Sequence, residues 1–229
     1  MGGRGGTSHR ASGGGLRNLT TVDQVNEWLR NQHFFAPYSR VSLTGIDVAA
    51  ACGIAEAYKQ VFDKYPQLKG FFSGVLSFSL GSGTYADCNL STGTIRVSDS
   101  MYRSVDALSR QYAADIRSNW HPVGTDWSAI VTHEIGHAID GYISQRMRGT
   151  DSSYVNWDFN STEMRSKIAA RLGVPTSSAS ISREVSRYGG TKSVEWFAES
   201  FAEGMRSANP RRMAKEFMKD LDEILRRLR

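Results

Sequence analysis

Strand-like and helix-like spacings of apolar residues share the first half of the chain, and helical spacing alone fills the second. Val22, Val25, Trp28 and Leu29 recur on one side of a short helix that begins at Thr20 or Thr21. Val48, Ala51, Ala55, Tyr58 and Phe62 predict a longer helix over residues 47–65, with Pro66 just past its end. Residues 71–80 are rich in Phe, Val and Ser and read as β-structure. Residues 84–88 and 94–98 predict two strands joined by a turn. In Thr94-Ile95-Arg96-Val97-Ser98 the apolar residues alternate strictly. One face is then buried and one wet, which predicts an edge or half-exposed strand.

Helices follow. Residues 101–119 predict one, broken by Trp120-His121-Pro122. Gly124-Thr125-Asp126 starts the next, with Thr125 or Asp126 as N-cap. Trp127, Ile130, Val131, Ile135, Ala138, Ile139, Tyr142 and Ile143 make it apolar over most of its circumference, as in a buried helix. A polar stretch follows Arg148-Gly149. Helical spacing returns over residues 161–172, 181–187, 194–206 and 210–229. The last is basic and amphipathic, with Met213, Phe217, Leu221, Leu225 and Leu228 as the stripe that packs on its own domain. The pattern predicts an α+β fold with a small twisted sheet and a helical C-terminal half. Residues 1–18, rich in Gly, Ser and Arg, read as a flexible tail or linker before a domain spanning 19–229.

Composition narrows the class. The charge of +5 at pH 7 is moderate and concentrated at both ends. It permits contact with nucleic acid without demanding it. Cys52 and Cys88 allow at most a single disulfide, and neither lies in a CxxC pair. No apolar run is long enough to span a membrane, and the first fifteen residues lack the apolar core of a secretory signal. The expectation is a soluble protein, cytoplasmic, virion-associated or delivered as part of a larger one.

The buried helix carries His133-Glu134-Ile135-Gly136-His137, an HExxH. Residues four apart share one helical face, so His133 and His137 can bind one metal ion. Glu134 lies beside that face, where it can act as base toward an activated water. A shuffled chain of this composition holds only about 0.005 copies of the motif. His121, a lone histidine beside a proline, is read as lying outside the site.

A catalytic zinc usually takes three protein ligands. Asp140 and Ile143 stand where the extended motif HExxHxxGxxH needs glycine and histidine, and no histidine follows His137. The third ligand is therefore a carboxylate or an upstream histidine. Glu195, Glu199 and Glu203 repeat every four residues within a partly apolar segment. Like charges so spaced cost a helix about 0.2–0.5 kcal/mol per pair, which a nearby cation would reverse.

With Ser186-Arg187-Tyr188-Gly189-Gly190-Thr191 and Glu195-Trp196-Phe197-Ala198-Glu199-Ser200-Phe201 added to His133-Glu134-Ile135-Gly136-His137-Ala138-Ile139-Asp140, the chain resembles the catalytic domain of the anthrax lethal factor-like zinc metallopeptidases. The resemblance covers residues 126–206 well and the flanks more loosely. It implies a zincin-like fold, zinc as cofactor, and zinc-dependent endopeptidase activity on a protein or peptide. It implies Glu195 as third ligand, Glu199 as a residue behind the ligands, and Tyr188 as a catalytic hydroxyl. Asp140 and Glu199 are the candidates to orient the ligating imidazoles. The family's docking domains have no counterpart here, so its substrate does not carry over. The segment Thr94–Ser98 is the expected edge for strand addition by a peptide, with residues 84–88 as its rival. Two other readings remain: a zincin-fold binding or assembly module without turnover, phage head-associated or toxin-linked, and a basic nucleic-acid-binding protein.

Overall fold

A computed structural model of the chain describes residues 16–148 and 157–228. The tail expected over residues 1–18 lies outside them except for its end. Leu16–Asn18 forms a 3-10 turn there, and Leu16 and Leu19 pack against the core. The polar stretch after Arg148 also lies mostly outside the described residues.

The elements run α1 (Val22–Asn31), β1 (Phe35–Ser42), α2 (Val48–Lys64), β2 (Phe72–Phe78), β3 (Ala86–Asn89), β4 (Thr94–Ser98), α3 (Val105–Arg117), α4 (Ala129–Arg148), α5 (Trp157–Leu172), α6 (Ser178–Glu184), α7 (Ser193–Arg206) and α8 (Arg212–Arg227). The fold is α+β. Local chemistry sets the boundaries. Thr21 accepts from Gln24 N, and the Gln24 side chain accepts from Thr21 N, a reciprocal capping box. Asp47 caps α2 through Ala49 N at 2.8 Å, and its other oxygen accepts from Val105 N at the start of α3. Gly173, at φ +66°, follows the end of α5 in the left-handed conformation typical of a helix stop.

The strands form one sheet in the order β1-β2-β4-β3. β1, β2 and β4 are parallel, and β3 runs antiparallel to β4. The expectation that Thr94–Ser98 is an edge is therefore corrected: β4 is paired on both sides. Its alternation has another cause. Ile95 and Val97 are buried with Val75, while Arg96 reaches the other face and holds Asp87 at 2.8 Å. A sheet covered on one face gives a central strand the same half-wet pattern as an edge. The edge beside the helical half is β3, which overlaps the rival segment 84–88 at residues 86–88.

β1 was not foreseen. Phe35 and Val41 are buried, but Pro37 and Tyr38 interrupt the alternation between them, and Tyr38 is fully exposed at φ +67°. The register slips between Phe35 and Arg40. The slip lies against Gly74, where a Cβ would come within 1.9 Å of the Arg40 carbonyl oxygen. A glycine-backed irregularity of this kind hides a strand from any test of periodicity.

The core is continuous from the sheet into the helices. Phe35, Tyr58, Phe62 and Phe72 interlock at centroid distances of 5.0–6.2 Å beneath the sheet. In the helical half Trp196, Phe197 and Phe217 do the same at 4.7–5.5 Å. The stripe of α8 is buried at Met213, Phe217, Leu221 and Leu225, which fits packing on its own domain. Among the described residues no helix is long and apolar enough to cross a membrane. Cys52 and Cys88 are both free thiols.

Candidate metal centre

Helix α4 packs chiefly against α7 and beneath β3 and β4. Asp126 caps its approach, accepting from Ser128 N at 2.9 Å. Arg206 reaches across from α7 to the hydroxyl of Ser128 and to Gln60 on α2, tying the start of the helix in place. Ile130, Val131, Ile135, Ala138, Ile139 and Ile143 are all buried. Gly136 sets the separation of the two helices. A Cβ there would lie 3.0 Å from Ala198 Cα and 3.3 Å from Phe201. The missing side chain lets α7 come close enough to bring its first turn over the motif.

The result is a triangle of donors. His133 Nε2 and His137 Nε2 are 3.0 Å apart, and each is 3.3 Å from Glu195 Oε2. These are the three residues expected as ligands, and they form a compact cluster able to hold a metal ion. A tetrahedral ion with bonds of about 2.0–2.1 Å spaces its donors about 3.3 Å apart. The observed edges match that spacing. Glu195 Oε2 is buried and makes no well-aligned hydrogen bond, although both ring nitrogens are near it. The two ring nitrogens are also within hydrogen-bond distance of each other, so all three donors crowd around one point. Two nitrogen donors and one carboxylate are also the set that zinc takes when a position is left open for chemistry.

Electrostatics show what the cluster needs. Burial pushes the Glu195 carboxyl up, but the two imidazoles beside it pull it further down, well below the usual carboxylate range. Burial lowers His133, and Glu195 and Glu199 more than reverse this, leaving its pKa well above the ordinary value. The carboxylates thus demand positive charge in the site. A divalent ion binding here would compete with protons for the same imidazole nitrogens.

The three glutamates of α7 have three different surroundings. Glu195 faces the histidines. Glu199 lies one turn on, fully buried, with Oε1 2.8 Å from His133 Nδ1 in a bent contact and Oε2 accepting from Ser186 Oγ at 2.6 Å. Burial raises its carboxyl, while His121 and His133 hold it down at about 2. Glu203 is turned away, paired with Arg211 through the guanidinium and the backbone N–H. Asp140, the other candidate for orienting an imidazole, is buried in α4.

Glu134 is buried on the wall of a cleft of about 710 Å³ that His133, Tyr188, Tyr112, Thr84 and Ala86 also line. Burial raises its carboxyl above the usual value, more than the two histidines lower it. Tyr188 stacks on the His133 ring at 5.6 Å and on Trp120 at 5.3 Å, the middle of three parallel rings. Burial raises its phenol, and the adjoining Glu195 carboxylate raises it further.

The reading of His121 as outside the site is corrected. Its Nδ1 lies 3.1 Å from Glu199 Oε1, and it lines the cleft. The sequence carried one signal for this: a histidine at a helix break among aromatic residues needs a partner if it is buried. That the partner is a glutamate far along the chain follows only from the folded arrangement. Compared with protein-family models, with curated proteins and with solved structures, the chain matches none.

Proposed function

We propose that the chain is a zincin-like, zinc-dependent endopeptidase of the lethal factor-like kind, hydrolysing peptide bonds within an extended protein substrate. The observation that carries this is the converging triangle of His133, His137 and Glu195 beside the buried Glu134 on the cleft wall. Zinc held by those three residues would polarise the substrate carbonyl and make water nucleophilic near neutral pH. Glu134, whose burial strengthens it as a base, takes a proton from the attacking water onto its carboxylate and returns it to the leaving nitrogen. Tyr188, stacked on Trp120, donates a hydrogen bond from its hydroxyl to the oxyanion. The side of β3 that pairs with no other strand among the described residues offers backbone N–H and C=O groups to an extended peptide, and Ala86 of that strand lines the cleft.

The test uses purified protein and an unstructured protein substrate. The chain should bind about one zinc and cleave the substrate. Glu134→Gln should keep the zinc and lose the cleavage. Tyr188→Phe should keep the zinc and lower kcat by about 10²–10³-fold. A fully active Glu134→Gln protein would remove the assigned base. Stoichiometric zinc without cleavage of any peptide would leave a binding module instead.

A further inference from the structure

His121 has no part in the chemistry above, yet it is buried beside it. Glu199 Oε1, 3.1 Å from its Nδ1, is the same oxygen that lies 2.8 Å from His133 Nδ1. Its Nε2 is buried and has no hydrogen-bond partner among the described residues. Its ring stacks on Tyr112 at 5.1 Å and meets Tyr188 edge-on at 5.9 Å. A phenyl ring would keep both aromatic contacts and strand no nitrogen. An imidazole here bears the cost of an unpaired buried nitrogen. What it adds in return is a donor to Glu199.

Glu199 needs that donor. Its carboxylate is almost wholly shielded from water, and Ser186 supplies the other oxygen's partner. A buried carboxylate oxygen that loses its donor is left unsatisfied and turns toward another partner, and His133 then loses its brace. The loop bearing His121 is itself anchored: Arg187 N donates to Asn119 O at 2.7 Å and Tyr188 N to Trp120 O at 3.1 Å. His121 is thus held by the backbone around it and does not rely on Glu199 for its place.

We propose that His121 is a positioning residue of the metal centre, fixing the Glu199 carboxylate against the His133 imidazole and so setting how tightly, and in what shape, the site binds its cation. This rests on the metal-binding reading of His133, His137 and Glu195. Residues that orient a ligating histidine typically change metal affinity when removed, without touching the ion.

Two substitutions separate positioning from packing. His121→Phe keeps the ring and removes the donor. His121→Asn removes the ring and can put an amide N–H near the place of Nδ1. Zinc affinity of the full chain is measured by competition with a chromophoric chelator, and the visible spectrum of the cobalt(II)-loaded protein reports the shape of the site. His121→Phe should weaken zinc binding by about 10–100-fold and alter the cobalt spectrum, while His121→Asn stays near the wild type in both. A packing role predicts the reverse ranking. The inference is overturned if His121→Phe binds zinc like the wild type, or if His121→Asn binds as weakly as His121→Phe. Should His121→Phe not fold, His121→Ala, which also removes the donor, takes its place in the same comparison. A wild-type chain that takes up no zinc overturns the metal-binding reading itself, and this inference falls with it.

Discussion

Helices α7 and α8 both carry regularly spaced charges, and the charges mean opposite things. In α7, Glu199 and Glu203 are buried and Glu195 nearly so, each facing a different cationic or hydrogen-bonding partner. In α8, Glu216, Asp220, Asp222 and Glu223 pair at the surface with Lys219, Arg171, Lys64 and Arg227. Water already solvates such charges, so pairing adds little. A buried carboxylate has lost that solvation, so its partner decides whether it is tolerated. Equal spacing along a helix is therefore neutral as to function, and burial gives it meaning.

The largest effect that sharpens this contrast is at Glu195. On the proposed reading, Glu195→Ala should remove most of the bound zinc, because that reading makes Glu195 a ligand and Glu199 only its neighbour. Glu199→Ala should weaken zinc by about 10–100-fold, the usual penalty for a residue that orients a ligating histidine. Chelator competition measures both. The opposite ranking would move the ligand one helical turn along α7 and break the three-way division of its glutamates.

Next is Glu203, which has no part in the site. Burial raises its carboxyl, and the Arg211 contacts only partly offset that, so the intact pair contributes little net stability. Breaking it is another matter. Glu203→Ala strands the Arg211 guanidinium and backbone N–H, and should cost about 3 kcal/mol, the low end for a buried pair because Arg211 keeps some exposure. For a chain of this length that is a Tm lower by about 6–12 °C. Zinc affinity should hold. A loss of zinc in folded Glu203→Ala would show that the metal centre extends a turn further than the triangle.

These contrasts also show what the sequence could carry. The two histidines with Glu134 on α4, and the run of glutamates on α7, were each legible because a helix fixes the relative placement of its own residues. The choice of Glu195 over Glu199 rested on resemblance, since both lie on one face; here the folded chain puts Glu195 Oε2 at 3.3 Å from both rings. His121 was missed because its role depends on a contact between distant segments. β1 was missed because Pro37, Tyr38 and the slip against Gly74 erase the period of two. β4 was misplaced because alternation reports which face is wet, and it says nothing about how many neighbours a strand has.

Gly136 joins the motif to α7, and a methyl group there tests how tightly. Gly136→Ala gains about 1 kcal/mol of helix propensity. It must also force apart a contact of 3.0 Å to the backbone at Ala198, and overpacking of this kind costs about 1–3 kcal/mol. The net loss of stability should be about 0–2 kcal/mol. Zinc affinity should fall with it, because Glu195 rides on the helix that moves. A stabilised Gly136→Ala protein with unchanged zinc affinity would mean that α7 yields without carrying Glu195 off the histidines.

The smallest effect completes the contrast. Glu223 and Arg227 pair one turn apart on α8, with side chains 51% and 70% exposed. Their attraction is screened by water and salt, and holding two long side chains in one geometry costs entropy. Glu223→Ala should change stability by about 0.5 kcal/mol or less, with no change in zinc affinity. The measurement is a pair of thermal melts, at low and at high salt, with Glu203→Ala alongside. High salt should shrink the difference between Glu223→Ala and the wild type and leave that of Glu203→Ala nearly intact, since ions reach the surface of α8 and not the buried side of α7. If both differences shrank alike, burial would not be what separates the two helices.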